Sequence, residues 1–180
     1  IFGLTISIGL LGTVVGGIVS GILADKLGRQ KILMASLIIY GVGTIILALS
    51  KHIAIIVLAR LLIGLGLGAE WSTGMTLVAE YSPPEKRGTY VGLVQSGWPL
   101  GVLFAILNTI IIYPSFGWRT CFLIAALPIL LVVYIRSHVP ESRIWLNEKK
   151  MQETSRITII ELFSARYIKF TLIGLIMDIL

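Results

Sequence analysis

Several polar or ionisable residues stand inside long apolar stretches, where such groups are costly to keep: Arg60, Glu70, Gln95, Asn108 and Asp178. Arg60 lies about seven residues into its run, roughly 10 Å deep at 1.5 Å per residue. A guanidinium at that depth binds a carboxylate in a cavity or pairs with an acid on another helix. The plainer reading is an arginine that snorkels to the nearer surface. Glu70, further along the same run, can carry a proton, or it can simply balance a basic loop residue such as Arg87 or Arg29. Pro99 cannot donate to the carbonyl of Gln95, so that carbonyl is free to face a cavity and the helix is expected to kink there. From the residues alone the Gln95 side chain reads as an interhelical hydrogen bond. Trp98, one turn on, lines the same cavity or packs against lipid. Asn108 reads as an interhelical hydrogen bond, and Asp178 as a second titratable site. His52 and His138 fall at run edges and are assigned no role.

Other chemistries find no support. There is no G-x-x-x-x-G-K-[ST] loop for ATP, no Cys/His set at zinc spacing and no nucleophile elbow. We expect no cofactor and no metal site, and we do not read the chain as an enzyme.

The elements that must position these residues are membrane-length runs. Of 180 residues, 56% are hydrophobic and 13% charged, about half the charge of an ordinary soluble domain. About 20 apolar helical residues cross a bilayer core, and the runs at 1–24, 32–49, 53–79 and 89–113 reach or approach that length. A fifth, 120–135, is shorter, and a sixth starts near Tyr167. Gly12 with Gly16, and Gly17 with Gly21, are spaced to let helices approach closely. Ser82, Pro83 and Glu85 read as a capping box opening the next helix, and 114–119 as a turn. Thr158 and Glu161 read as a second capping box, with Ile159, Leu162 and Phe163 forming one face of a surface helix. The single cysteine, Cys121, cannot form an internal disulfide and reads as a packing residue.

The net charge of +6 reports topology rather than nucleic-acid binding. The breaks at 25–31, 80–88 and 136–166, together with Lys169, hold every Lys and Arg except Lys51, Arg60 and Arg119. Alternation puts those breaks on one side, and basic residues are retained in the cytoplasm. The expected organisation is an amino-terminal transmembrane bundle over 1–135, a cytoplasmic loop with an amphipathic helix over 136–166, and the start of a second bundle over 167–180. Beginning at Ile1 and stopping within an apolar run, the chain is expected to be part of a longer protein.

Gly21-Ile22-Leu23-Ala24-Asp25-Lys26-Leu27-Gly28-Arg29-Gln30-Lys31 resembles the G-x-x-x-D-[RK]-x-G-R-[RK]-[RK] signature of the major facilitator superfamily, departing only at Gln30. Arg60 to Gly68 resembles the R-x-x-x-G-x-G-x-G pattern of that family's fourth helix. Glu80 to Arg87 resembles the E-x₆-R element of sugar porters. Pro140-Glu141-Ser142-Arg143-Ile144-Trp145-Leu146 is similar to their P-E-S-P-R-[WY]-L element, departing at Arg143 and Ile144. Gly68-Ala69-Glu70-Trp71 resembles the proton-coupled carboxylate branches, among them the sialate, lactate, metabolite and aromatic-acid symporters.

The resemblance implies an all-α membrane protein with a partial major facilitator fold, covering helices two to six and the start of helix seven, with helix one absent. It implies a multi-pass protein of the cytoplasmic (plasma) membrane. Such a protein is a secondary transporter, here one for a small organic anion with protons. Arg60, Gln95 and Trp98 would bind substrate, and Glu70 or Asp178 would carry the proton. Gly21, Asp25, Gly28, Arg29, Lys31, Glu80, Arg87 and Glu141 would form a cytoplasmic gate. Gly21 would allow close helix approach, Gly28 would take φ > 0, and Asp25 would sit at a helix amino terminus in the other half. The expected partners are the substrate, protons, the lipid bilayer and the carboxy-terminal half of the same chain, with no nucleic acid. Alternatives are a transporter of sugars or zwitterionic osmolytes, and a non-transporting membrane sensor on the same fold.

Overall fold

The computed structural model describes residues 2–151. The surface helix expected around 158–163, the run from Tyr167 and Asp178 lie outside the described residues. Every regular element among the described residues is helical: α1 Phe2–Leu27, α2 Arg29–Leu49, α3 Ile53–Tyr81, α4 Arg87–Gln95, α5 Gly97–Ala125, α6 Leu131–His138 and α7 Arg143–Met151. Short 3-10 turns at Pro84–Lys86 and Leu127–Leu130 precede α4 and α6. Residues Ile1–Trp145 form one compact unit, and α7 runs from it into a second that begins at Leu146.

Four stretches are long and apolar enough to cross a membrane: Gly3–Leu27, Arg29–Leu49, Ile53–Tyr81 and Pro84–His138. The last would be about 80 Å long as one helix, more than twice the hydrocarbon thickness. It doubles back instead. Gly117 breaks α5 with φ 75 and ψ 172, a conformation open essentially to glycine. The two arms are tied where Asn108 Nδ2 donates to the Cys121 carbonyl at 3.0 Å. The turn expected over 114–119 is thus a hairpin tip, and Asn108 is the interhelical hydrogen bond expected of it.

Glycine sets the packing of α1, α2 and α3. A Cβ on Gly12 would meet the Leu61 carbonyl at 2.7 Å, and one on Gly16 would meet Leu65 backbone. Gly64 and Gly68 abut the backbone of Gly9 and Thr13 in return. The constant offset means that α1 and α3 run in the same direction, backbone against backbone. Gly66 lies on the opposite side of α3, 2.6 Å (from its ideal Cβ) from the Tyr40 backbone of α2. The G-x-G-x-G spacing therefore serves two neighbours from one helix. Gly21 does not share in this. A Cβ there would meet nothing within 4 Å among the described residues, which corrects the expectation of a close approach. The tight seam follows Gly12, Gly16 and buried Ser20, and Gly21 stands one residue, about 100° of helical rotation, off that line.

The second arm of the hairpin runs antiparallel to α2. Arg119 donates to the Ser50 carbonyl at 3.1 Å at one end. The Tyr40 hydroxyl donates to the Ala125 carbonyl at 3.1 Å midway. The Gln30 amide donates to the Ile135 carbonyl at 3.1 Å at the other end. The breaks at 25–31, 80–88 and 136–142 meet at one end of the unit, and Ser50 meets Arg119 at the opposite end, as the charge alternation requires.

One further expectation is corrected. Ser82 does not open a helix. Its hydroxyl donates back to the Val78 carbonyl at 2.6 Å and its N–H to the same oxygen at 3.0 Å. Ser82 therefore closes α3, and Pro84 begins the following 3-10 turn.

Candidate functional site

At the basic end, the positive φ of Gly28 (107°) turns the chain from α1 into α2. A side chain there would also collide with the Glu141 carboxylate. That carboxylate fills the space. Its Oε1 accepts from the backbone N–H of Arg29 at 2.8 Å and of Gln30 at 3.1 Å, and from Ser142 N–H at 3.1 Å. An anion at a helix amino terminus satisfies orphan donors and suits the dipole. Within this unit that place belongs to Glu141. Asp25, expected at such a terminus in the other half, here turns to Arg29.

The Arg29 guanidinium is buried. Its Nη2 pairs with Asp25 at 2.9 Å and with Glu80 at 3.1 Å, and its Nη1 donates to the Ala24 carbonyl at 3.1 Å. Glu80 Oε2 is buried without a hydrogen-bond partner among the described residues. Lys31 and Arg87 are exposed and make no ion pair among the described residues. The structure therefore joins Asp25, Gly28, Arg29, Glu80 and Glu141 in one cluster and leaves Gly21, Lys31 and Arg87 outside it.

Three residues that sequence reasoning passed over complete the cluster. The Tyr81 hydroxyl donates to the carbonyls of Pro140 (2.9 Å) and Glu141 (3.1 Å). The Trp145 indole donates to the Asp25 carbonyl at 2.8 Å. Gln30 donates to the carbonyls of Ile135 in the last turn of α6 and of Val139 just beyond it. A signal existed for two of them: Trp145 closes the P-E-S element, and Gln30 is the one departure from the loop signature. Tyr81 carried none.

The candidate substrate residues lie deeper. Arg60 is half-buried in α3, and no carboxylate stands within ion-pair distance of it among the described residues. Glu70 follows Gly66 by one turn, on the side of α3 that faces α2, within electrostatic range of Tyr40. It pairs with neither Arg87 nor Arg29 among the described residues. Ser96, between Gln95 at the end of α4 and Gly97 at the start of α5, keeps helical φ/ψ (−65, −12) and its N–H donates to the Gly92 carbonyl at 3.0 Å, so the chain stays helical where Pro99 leads one to expect a kink. Trp98 contacts Trp71 edge to face, ring centroids 6.0 Å apart at 85°. The structure brings Gln95 and Trp98 together on successive turns. Arg60 stands about 16 Å along α3 from Trp71, and on nearly the same face.

Membrane-length helices packed through glycine, with a charged cluster at one end and sparse polar groups within, define a polytopic membrane protein. Comparison with known proteins is consistent and more specific. The profile of the Major Facilitator Superfamily matches residues 1–179. The chain is 39% identical over 140 residues to the niacin transporter NiaP of Acinetobacter baylyi, covering 78% of this chain and 32% of that protein. It is 36% identical over 154 residues to the glucose transporter GlcP of Staphylococcus epidermidis, covering 86% and 34%. The inward-open xylose transporter XylE of E. coli superimposes with a TM-score of 0.73 at 23% identity, over 82% of this chain and 39% of that one. The chain belongs to the Major Facilitator Superfamily. It spans about a third of the length of the curated relatives it matches.

Proposed function

We propose that the whole protein is a secondary active transporter of the cytoplasmic membrane, carrying a small organic anion together with protons. The observation that carries this reading is Arg60, a cation inside α3 without an acidic partner among the described residues. A charge kept in that position is explained by an anionic solute. Arg60 attracts the carboxylate, and Gln95 with Trp98 holds it near the middle of the bundle. Glu70, or Asp178 outside the described residues, carries the proton. The basic end faces the cytoplasm, and the cluster around Arg29 acts there as a gate against the carboxy-terminal half. A relative that carries niacin, itself a carboxylic acid, supports the anion.

A second reading, transport of a neutral sugar, draws support from the glucose-transporting relative. Uptake by the full-length protein in proteoliposomes under an inward proton gradient separates the two. Gradient-driven uptake of a carboxylate, lost in Arg60→Gln, is the expected result. Uptake of sugars or betaines without any carboxylate uptake sinks the anion reading.

A further inference from the structure

Of the four tryptophans, Trp118 and Trp145 stand at opposite ends of the unit, where Trp118 lies under the Arg119 guanidinium at 4.5 Å and Trp145 holds the Asp25 carbonyl. Ends are where indoles that meet lipid headgroups belong. Trp71 and Trp98 do not follow that rule. Trp71 precedes the inner end of α3, Tyr81, by ten residues, and Trp98 follows the start of α4, Arg87, by eleven. Each is four residues, about 6 Å, to the inner side of the midpoint of its helical arm (Ile53–Tyr81 and Arg87–Gly117), and so within the hydrocarbon core. There an indole N–H facing lipid has nothing to donate to. Neither indole has a hydrogen-bond partner among the described residues, and both side chains are open, at 47% and 65%. The two rings stand perpendicular and so form a corner with one flat wall. Beside it stands Gln95 at the end of α4, whose amide precedes Trp98 by three residues.

We infer that Trp71 and Trp98 form the ring-binding corner of the substrate site, and that the substrate class is a planar aromatic or heteroaromatic carboxylate. This rests on the anion reading above. One indole takes the ring face to face while the other closes its edge, and Gln95 donates to the carboxylate. Arg60, about 16 Å away along α3, cannot touch so small a solute at the same time. It acts on the approach and not in the bound state.

The test uses two carboxylates of equal charge and similar size, benzoate and cyclohexanecarboxylate, titrated calorimetrically against purified full-length protein. Wild type should bind benzoate about three- to tenfold more tightly, the range expected of one aromatic contact. Trp98→Leu should bring the ratio close to one, and Trp98→Phe, which keeps a flat face, should retain most of it. Equal binding of the two acids by wild type overturns the inference and leaves anion transport standing, as does a ratio unchanged in Trp98→Leu. If neither acid binds while glucose does, the anion reading fails, and this one with it. The wild-type ratio decides the matter even where a variant does not fold.

Discussion

Arg29 and Glu80, 51 residues apart in the chain, meet at 3.1 Å with 7% and 14% of their side chains exposed, while Asp25, on the other side of the same guanidinium, is 72% exposed. The two ion pairs therefore differ in kind. The first is largely withdrawn from water, and the second stands in it.

Glu80→Gln is expected to cost about 2–4 kcal/mol, somewhat less than the ~3–5 kcal/mol of a fully orphaned buried charge, because Asp25 stays beside Arg29. Asp25→Asn should cost under about 1 kcal/mol, since an exposed pair is weakened by solvent. Thermal unfolding of the detergent-solubilised full-length protein ranks the two. Equal losses would show that burial does not govern this cluster.

Gly28→Ala is expected to destabilise by about 1–3 kcal/mol from backbone conformation alone, with a further loss from collision with Glu141. Glu141→Ala removes the collision but leaves the strain. The double variant should therefore be more stable than the sum of the single losses predicts. Strict additivity in a four-member unfolding cycle would contradict the contact.

Gln30 occupies a position that is usually basic in the family signature, and its amide donates to two carbonyls at the carboxy-terminal end of α6, those of Ile135 and Val139. A lysine can do the same and also suits the negative end of the helix dipole. Gln30→Lys is expected to equal or exceed wild type by up to about 1 kcal/mol, whereas Gln30→Ala should lose about 1 kcal/mol. A strongly destabilised lysine variant in the same unfolding assay would argue against this capping role.

Gly66→Ala and Gly68→Ala force a methyl into backbone of α2 and α1 respectively, and each should lose about 1–3 kcal/mol or fail to assemble. Gly101→Ala meets nothing within 4 Å among the described residues and should gain about 0.5–1 kcal/mol from helix propensity. Thermostability of the three variants, measured together, tests the seam. A neutral Gly68→Ala would refute the backbone contact.

Much of this was legible in the residues. Run lengths located the helices, Gly28 the turn between α1 and α2, and the break over 114–119 the hairpin tip, because each depends on local covalent constraint. Long-range partners were not legible in the same way. Glu141 could be placed near the loop only by likeness to other sequences, since nothing local says that its carboxylate will cap a helix begun 112 residues earlier. Ser82 misled because a hydroxyl between two helices can cap forward or backward. Gly21 misled because four-residue spacing marks a face without saying whether a neighbour occupies it. Trp71 passed unremarked as a site residue, since its meaning comes from meeting Trp98 across two helices.

The Glu141 contact also bears on how the protein is made. The amino terminus of α2 leaves the ribosome before its acceptor exists, and at about 5–20 residues per second the 112 intervening residues take roughly 6–22 seconds to appear. Through that interval the N–H groups of Arg29 and Gln30 have only water or lipid headgroups to bind. The contact at this end can therefore form only after the segments that make up the hairpin have been synthesised.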